Sequence, residues 1–194
     1  MNFIKDFCPV CGSPDSGNSC QLCSTGRFYF DGARSLFPYS MVVQNLLHNL
    51  KYNDFTGCAR YLSKFIGNYL NEIEPFEDVD IITPVPLHKV KQRARGYNQS
   101  LLLACEVARW LPRPVIKDLI KRTRFTGTQT RLNRSERQQN VRNAFSLNPK
   151  YSLEQKNILL IDDVFTTGAT VNSISNLLKD NGINRIYVLT IARA

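Results

Sequence analysis

With 194 residues, 43% of them apolar and 21% charged, the chain has material for one ordinary core plus a small appendage. That excludes a string of large domains and an intrinsically disordered polymer. No apolar run reaches the ~20 residues of a membrane-spanning helix, and the opening MNFIKDFC lacks the apolar region of a secretory signal, so a cytosolic protein with reduced thiols is expected; a net charge of +9 favours a polyanionic partner without specifying one.

The first element in chain order is a pair of knuckles. Cys8-Pro9-Val10-Cys11 and Cys20-Gln21-Leu22-Cys23 give C-x₂-C twice, eight residues apart. Four thiolates in two tight turns suit tetrahedral zinc, and four sulfurs leave no open coordination position, so the predicted site is structural. Two disulfides are disfavoured in the cytosol, and a redox C-x-x-C would not occur twice. A unit this small has little core of its own, so metal should substitute for buried area. Chelation is then expected to unfold the unit and spare the rest. The division is placed between a finger at 1–35 and a larger domain at 36–194.

Arg27-Phe28-Tyr29-Phe30-Asp31-Gly32 reads as an aromatic strand closing on an Asp-Gly turn. It either docks the cysteine unit on its neighbour or offers rings to nucleic-acid bases. Residues 41–52 and 58–73 read as amphipathic helices. Cys58 and Cys105 fall among apolar helix positions and are expected in the core; His48 and His88 receive no role. Val79, Ile81 and Ile82 open the first clear strand, which ends at Thr83-Pro84-Val85-Pro86. Two prolines around one residue make a rigid extended turn, placed where α/β sheets hold ligands. Lys89, Lys91, Arg93 and Arg95 follow, and Gly96-Tyr97-Asn98-Gln99 leads into a helix over 100–110.

Residues 119–145 are polar, rich in Arg and Thr, and without sustained period, so they read mainly as loop. Between Pro86 and Arg142, fourteen Lys and Arg face three acids, an excess larger than the charge of the whole chain. The basic surface is therefore local. A solvated basic face is the bland reading of such a run, and single-stranded nucleic acid is the specific one.

The stretch 157–171, NILLIDDVFTTGATV, carries the most chemistry. Ile158 to Ile161 form a short unbroken apolar run, typical of a strand covered on both faces. Asp162 and Asp163 follow where that strand should leave the sheet. Thr166-Thr167-Gly168-Ala169-Thr170 then makes a hydroxyl-rich turn ahead of a helix over 171–181, which Gly182 stops. Backbone N–H groups, helix dipole and a close-approach glycine make an anion site. It is not a nucleotide-triphosphate P-loop, because the Gly spacing and the Lys are missing. Carboxylates repel phosphate, so on the functional reading the acids meet sugar hydroxyls or a divalent cation on the same ligand; the bland reading is a capped βα junction with a solvated Asp pair. Strands near 79–83, 115–120, 157–162 and 186–192 predict a parallel α/β sheet with crossovers.

The apolar strand, Asp162-Asp163-Val164 and Thr166-Thr167-Gly168-Ala169-Thr170 resemble the phosphoribosyl-pyrophosphate (PRPP) signature of type I phosphoribosyltransferases. The resemblance implies that family's parallel sheet with helices on both faces. It also implies two acids on the ribose hydroxyls, a Thr/Gly turn on the 5′-phosphate, and Val85, Pro86 and Leu87 around the pyrophosphate of a magnesium-bound ligand. The run from Asp80 through Pro84-Val85-Pro86-Leu87-His88, then Arg93 to Ser100 as RxRGYNQS, together with the four cysteines, resembles the ComF family of competence proteins. Arg124, Thr128, Gln129, Leu132, Arg137, Asn140, Ala144 and Phe145 extend that resemblance, in the slot where phosphoribosyltransferases carry a loop that closes over the site.

The resemblance implies a zinc finger joined to a phosphoribosyltransferase-like domain and a part in DNA uptake during natural transformation. The expected protein binds PRPP with magnesium and handles incoming single-stranded DNA on the cytosolic side of the inner membrane. It would be peripheral there, with a translocation channel or helicase as further partner. Lys89, Lys91, Arg93, Arg95, Arg122, Arg124, Arg131, Arg134 and Arg137 are the expected phosphate contacts, with Tyr97 stacking on bases. An active phosphoribosyltransferase acting on a nucleobase or other acceptor is one alternative, and a protein-docking module is another. No catalytic residue is assigned, and turnover of PRPP as against binding alone stays open.

Overall fold

The computed structural model describes residues 2–14, 20–26, 28–52, 57–73, 76–123 and 144–194. Among them, β1 (Gly32–Pro38), β2 (Ile81–Pro84), β5 (Asn157–Phe165) and β6 (Arg185–Arg193) form a parallel sheet in the order β1-β6-β5-β2. β3 (Ile120–Arg122) and β4 (Phe145–Leu147) pair antiparallel in a separate ribbon. The helices among the described residues are α1 (Gln21–Thr25), α2 (Met41–Tyr52), α3 (Gly57–Ile73), α4 (Lys89–Arg95), α5 (Gln99–Val107) and α6 (Ala169–Lys179).

β5 lies inside the sheet with apolar cover on both faces, which is why its sequence does not alternate. Leu159 and Ile161 join one cluster with Leu47 and Leu50 of α2, Leu62 and Ile66 of α3, and Leu103 and Val107 of α5. Ile158 and Leu160 join the other, with Val171, Ile174 and Leu178 of α6, Ile120 and Phe145 of the ribbon, and Cys8 and Cys11. The sheet therefore has α2, α3 and α5 on one face, and α6, the ribbon and the cysteine unit on the other.

Two expected strands are corrected. Residues 115–120 do not supply a strand of the main sheet. Ile82 donates its N–H to the Pro114 carbonyl and accepts from the Ile116 N–H, but the contact stays a single bridge at Val115. Pro112 and Pro114 have no N–H to extend a ladder backwards, and a turn at Lys117-Asp118 leads the chain away. The sheet's fourth strand comes instead from β1, at the edge opposite β2. The aromatic run at 28–30 is a bend, in which Phe28 and Phe30 stack at 4.7 Å and Phe30 packs edge-on against Phe165. Asp31-Gly32 starts the strand rather than ending one, because the Asp31 carboxylate accepts the Ile186 N–H at 2.8 Å and the Lys179 ammonium at 2.9 Å. β1 crosses the division placed at residue 35 and ties the cysteine unit to the sheet.

The helices expected at 41–52 and 58–73 are present as α2 and α3, and those expected over 100–110 and 171–181 as α5 and α6. The short helix α4 arises inside the basic segment. His88 accepts the Val90 N–H on its Nδ1, and Gly96, at φ +78°, closes the helix. Cys58 is buried as expected, whereas Cys105 is exposed on the outer side of α5. No helix among the described residues is long and apolar enough to cross a membrane.

Candidate functional site

The acids lie inside β5, not beyond it: Asp162 stands opposite Thr190 and Val164 opposite Ala192. Successive strand residues face opposite ways, so the two carboxylates have different surroundings. Asp162 lines a small cavity together with Val164, Phe165, Thr166, Thr167, Gly168, Ala169, Thr170 and Val171. That cavity brings together all of the predicted turn residues. Gly168 is the N-cap of α6 at φ +73°, and a Cβ there would come within 2.5 Å of the Phe165 ring. Glycine is thus required both by the left-handed backbone and by the close ring. Ahead of α6 the first-turn amides have no partner within the helix and are available to an anion. The Thr167 hydroxyl takes a long 3.4 Å contact from the Ala169 N–H.

The Asp162 carboxylate accepts the Ser100 hydroxyl at 2.9 Å and the Asp163 N–H at 2.9 Å. Burial, and after it the charge of Asp163, push the Asp162 carboxyl up to about 8. Asp163 is 6% exposed. Its Oδ2 pairs with Lys51 from the last turn of α2, and its Oδ1 receives a long 3.4 Å contact from the Gln99 amide. The other side of Gln99 accepts Arg95 at 2.7 Å, and the Arg95 guanidinium lies 4.9 Å over the Tyr52 ring. The N-terminus of α5 therefore holds both acids, through Ser100 and Gln99.

The proline loop borders the same strand end. Val85 donates its N–H to Ile161 at 2.9 Å, and its carbonyl accepts the Asn98 amide at 3.0 Å. Asn98 also caps α5 by accepting the Ser100 N–H. Val85 and Pro86 are buried and Leu87 is half-buried, so the loop is braced against both β5 and α5.

The residues expected to meet nucleic acid divide into groups. Lys89, Lys91 and Arg93 are exposed along α4. Arg95 is half-buried on Gln99 and Tyr52, and the Tyr97 hydroxyl donates to the Leu50 carbonyl at 2.5 Å. Arg122 is half-buried over Phe145 at 5.5 Å, and burial lowers its pKa against the opposing charge of Asp162. Arg124, Arg131, Arg134 and Arg137 lie outside the described residues.

Beside β1 and the C-terminal end of β6, the sulfurs of Cys8, Cys11, Cys20 and Cys23 lie within 4.8 Å of one another. The Cys8–Cys23 and Cys11–Cys20 separations are 3.7 and 3.4 Å, close to the ~3.8 Å edge of a tetrahedron with Zn–S near 2.3 Å. All four are free thiols. The arrangement fits a structural zinc ion. The unit presses closely on the sheet: a Cβ on Gly12, at φ +69°, would meet the Ala33 carbonyl oxygen at 2.4 Å.

Competence protein F of Haemophilus influenzae is 44% identical to this chain over 200 residues, covering 98% of the chain and 87% of that relative. The chain belongs to the competence protein F family. It is also similar to the DNA utilization protein YhgH of Escherichia coli, at 30% identity over 97% of the chain and 85% of the relative. Competence protein ComFC of Bacillus subtilis is 29% identical over 91% of the chain and 72% of the relative. Similar solved structures include a glutamine PRPP amidotransferase from B. subtilis, with TM-score 0.49 and 20% identity over 74% of this chain and 30% of that one. A hypoxanthine phosphoribosyltransferase from Staphylococcus aureus has TM-score 0.47 and 14% identity over 70% and 64%. No family model matches the chain.

In this competence protein F family member, two side chains that support the site carry no local signal. Lys51 reads as an ordinary basic residue closing α2. Arg193 reads as the end of a strand, yet its guanidinium donates to the Cys11 carbonyl at 2.6 Å and lies 4.4 Å from the centre of the Phe165 ring. That ring carries the cysteine unit on one side and Gly168 on the other.

Proposed function

We propose that this member of the competence protein F family binds PRPP with Mg²⁺ at the turn between β5 and α6 and handles incoming single-stranded DNA. It works on the cytosolic side of the inner membrane during natural transformation. One observation carries the ligand assignment: a carboxylate, Asp162, and the hydroxyl-rich turn Thr166 to Thr170 line a single cavity. An anion cradle beside a hydroxyl acceptor suits a sugar bearing phosphate. The turn takes the 5′-phosphate, Asp162 and Asp163 the ribose hydroxyls, and Val85, Pro86 and Leu87 the pyrophosphate. Mg²⁺ is carried chiefly by the ligand and water, with the carboxylates assisting.

DNA handling is supported by the names of the relatives, which speak of competence and of DNA utilization, and by the exposed cations of α4 next to the proline loop. Titrating an oligo-dT with the protein at several salt concentrations, with and without PRPP and Mg²⁺, tests this part. Phosphate contacts predict affinity falling steeply with salt. An affinity that barely changes with salt would transfer the basic surface to a protein partner.

A further inference from the structure

A basic residue in the last turn of a helix ordinarily only complements the helix dipole. Lys51 ends α2 in that position, yet its side chain turns inward and pairs with Asp163 Oδ2, the two side chains being 25% and 8% exposed. The turn that carries it is held from the other direction, by the Tyr97 hydroxyl on the Leu50 carbonyl at 2.5 Å. Asp163 is therefore fixed unequally. One oxygen has an ammonium partner, and the other has a 3.4 Å contact from Gln99. Gln99 is itself oriented, because its carbonyl oxygen accepts Arg95 at 2.7 Å and only its amide group can face the acid. The pair is no remote strut, since the Asp163 N–H donates to the Asp162 carboxylate that lines the cavity.

We infer that Lys51 is a positioning residue for the sugar end of the site, the counter-ion that fixes the Asp163 carboxylate next along the strand from Asp162, which lines the cavity. This rests on the ribose assignment made above. With Lys51 in place, Asp163 can exchange the long Gln99 contact for a sugar hydroxyl without losing its ionic partner. Without Lys51, a nearly buried carboxylate loses its ionic partner and the hold on its orientation. Lys51 does not line the cavity formed by the turn at Thr166 to Thr170, so phosphate alone should not sense the change.

The test compares ribose 5-phosphate with inorganic phosphate in equilibrium titrations of the full chain at fixed Mg²⁺. The proteins are the wild type and the variants Lys51→Met, Lys51→Arg and Lys51→Met/Asp163→Asn. Both probes use the same turn and only one carries hydroxyls, so a general loss of stability weakens both together. The wild type should prefer ribose 5-phosphate. Lys51→Met should lose tenfold or more of that preference with phosphate affinity within twofold, and Lys51→Arg should recover it to within threefold. The double variant removes both charges, so neither is left buried without its partner; it should stay as unselective as Lys51→Met. A wild-type preference in Lys51→Met, or an equal loss for both probes, overturns the inference while leaving the sugar-phosphate site standing; a wild-type preference in the double variant overturns the assignment of Asp163 to the ribose, and the inference with it. A wild type without any preference overturns the ribose assignment, and the inference with it.

Discussion

Gly168 bears two constraints at once, a left-handed backbone and the Phe165 ring 2.5 Å from where a Cβ would sit. Gly168→Ala should cost about 1–2 kcal/mol from the backbone alone, plus the displacement of a buried ring, and should weaken PRPP binding. Thermal unfolding and titration check this, and a variant with wild-type stability and affinity would contradict it. The carboxyl of Asp162, raised to about 8, sets a pH dependence of a particular sign. The unfolded chain releases that proton near 4 and the native state keeps it until about 8, so the native state binds more protons in between. This group's contribution to stability is therefore lost as pH rises through that window. Melting temperatures of the ligand-free wild type should fall across it more steeply than those of Asp162→Asn; parallel curves would refute the burial argument. Asp162 and the turn were legible in the sequence because their signature is contiguous. Lys51 was not, because the residue that gives it meaning lies on a strand far along the chain.

Elements were legible where one period dominates. α2 and α3 are amphipathic over many turns, and the apolar run of β5 admits few other readings. β1 was missed for a physical reason: its sequence Gly-Ala-Arg-Ser-Leu-Phe-Pro has weak strand character, and its pairing with β6 fixes it. The neighbouring aromatics have stronger strand propensity but stack on one another and pack edge-on against Phe165 instead. The cysteine unit likewise looked separable, as spacing reports ligands and not what they pack against. Cys8 and Cys11 belong to the same buried cluster as Ala33, Phe165 and Val188, and Gly12 touches the β1 backbone. Chelation is accordingly predicted to reach beyond the cysteine unit, in contrast to the expectation from spacing alone. Hydrogen exchange should show β1 amides losing protection when metal is removed, with β2 little changed. Unchanged protection along β1 would mean that the unit is independent.

At the scale of the whole molecule, charge and the ligand site meet along the segment from α4 into α5. Lys89, Lys91 and Arg93 face solvent, whereas Arg95 reaches Asp163 through Gln99. Reversing the first three charges should weaken single-stranded DNA and reduce the log–log salt slope by about 2, at roughly 0.7 per lost phosphate contact, with PRPP affinity within threefold. Arg95→Glu should instead lower PRPP affinity, because Gln99 loses its orienting partner. Titrations of both ligands separate the two, and the reverse ranking would relocate the DNA path. Composition made the local basic excess visible but could not divide it, since solvent-facing and inward-turned arginines look alike in sequence.

The most direct test of the central claim is a calorimetric titration of PRPP with Mg²⁺ into the wild type and into Asp162→Asn/Asp163→Asn. The wild type should bind stoichiometrically, and the double variant should lose at least a hundredfold in affinity while keeping its fold and its zinc. Equal affinity in the two proteins, or no binding by the wild type, would contradict a sugar phosphate held by this carboxylate pair.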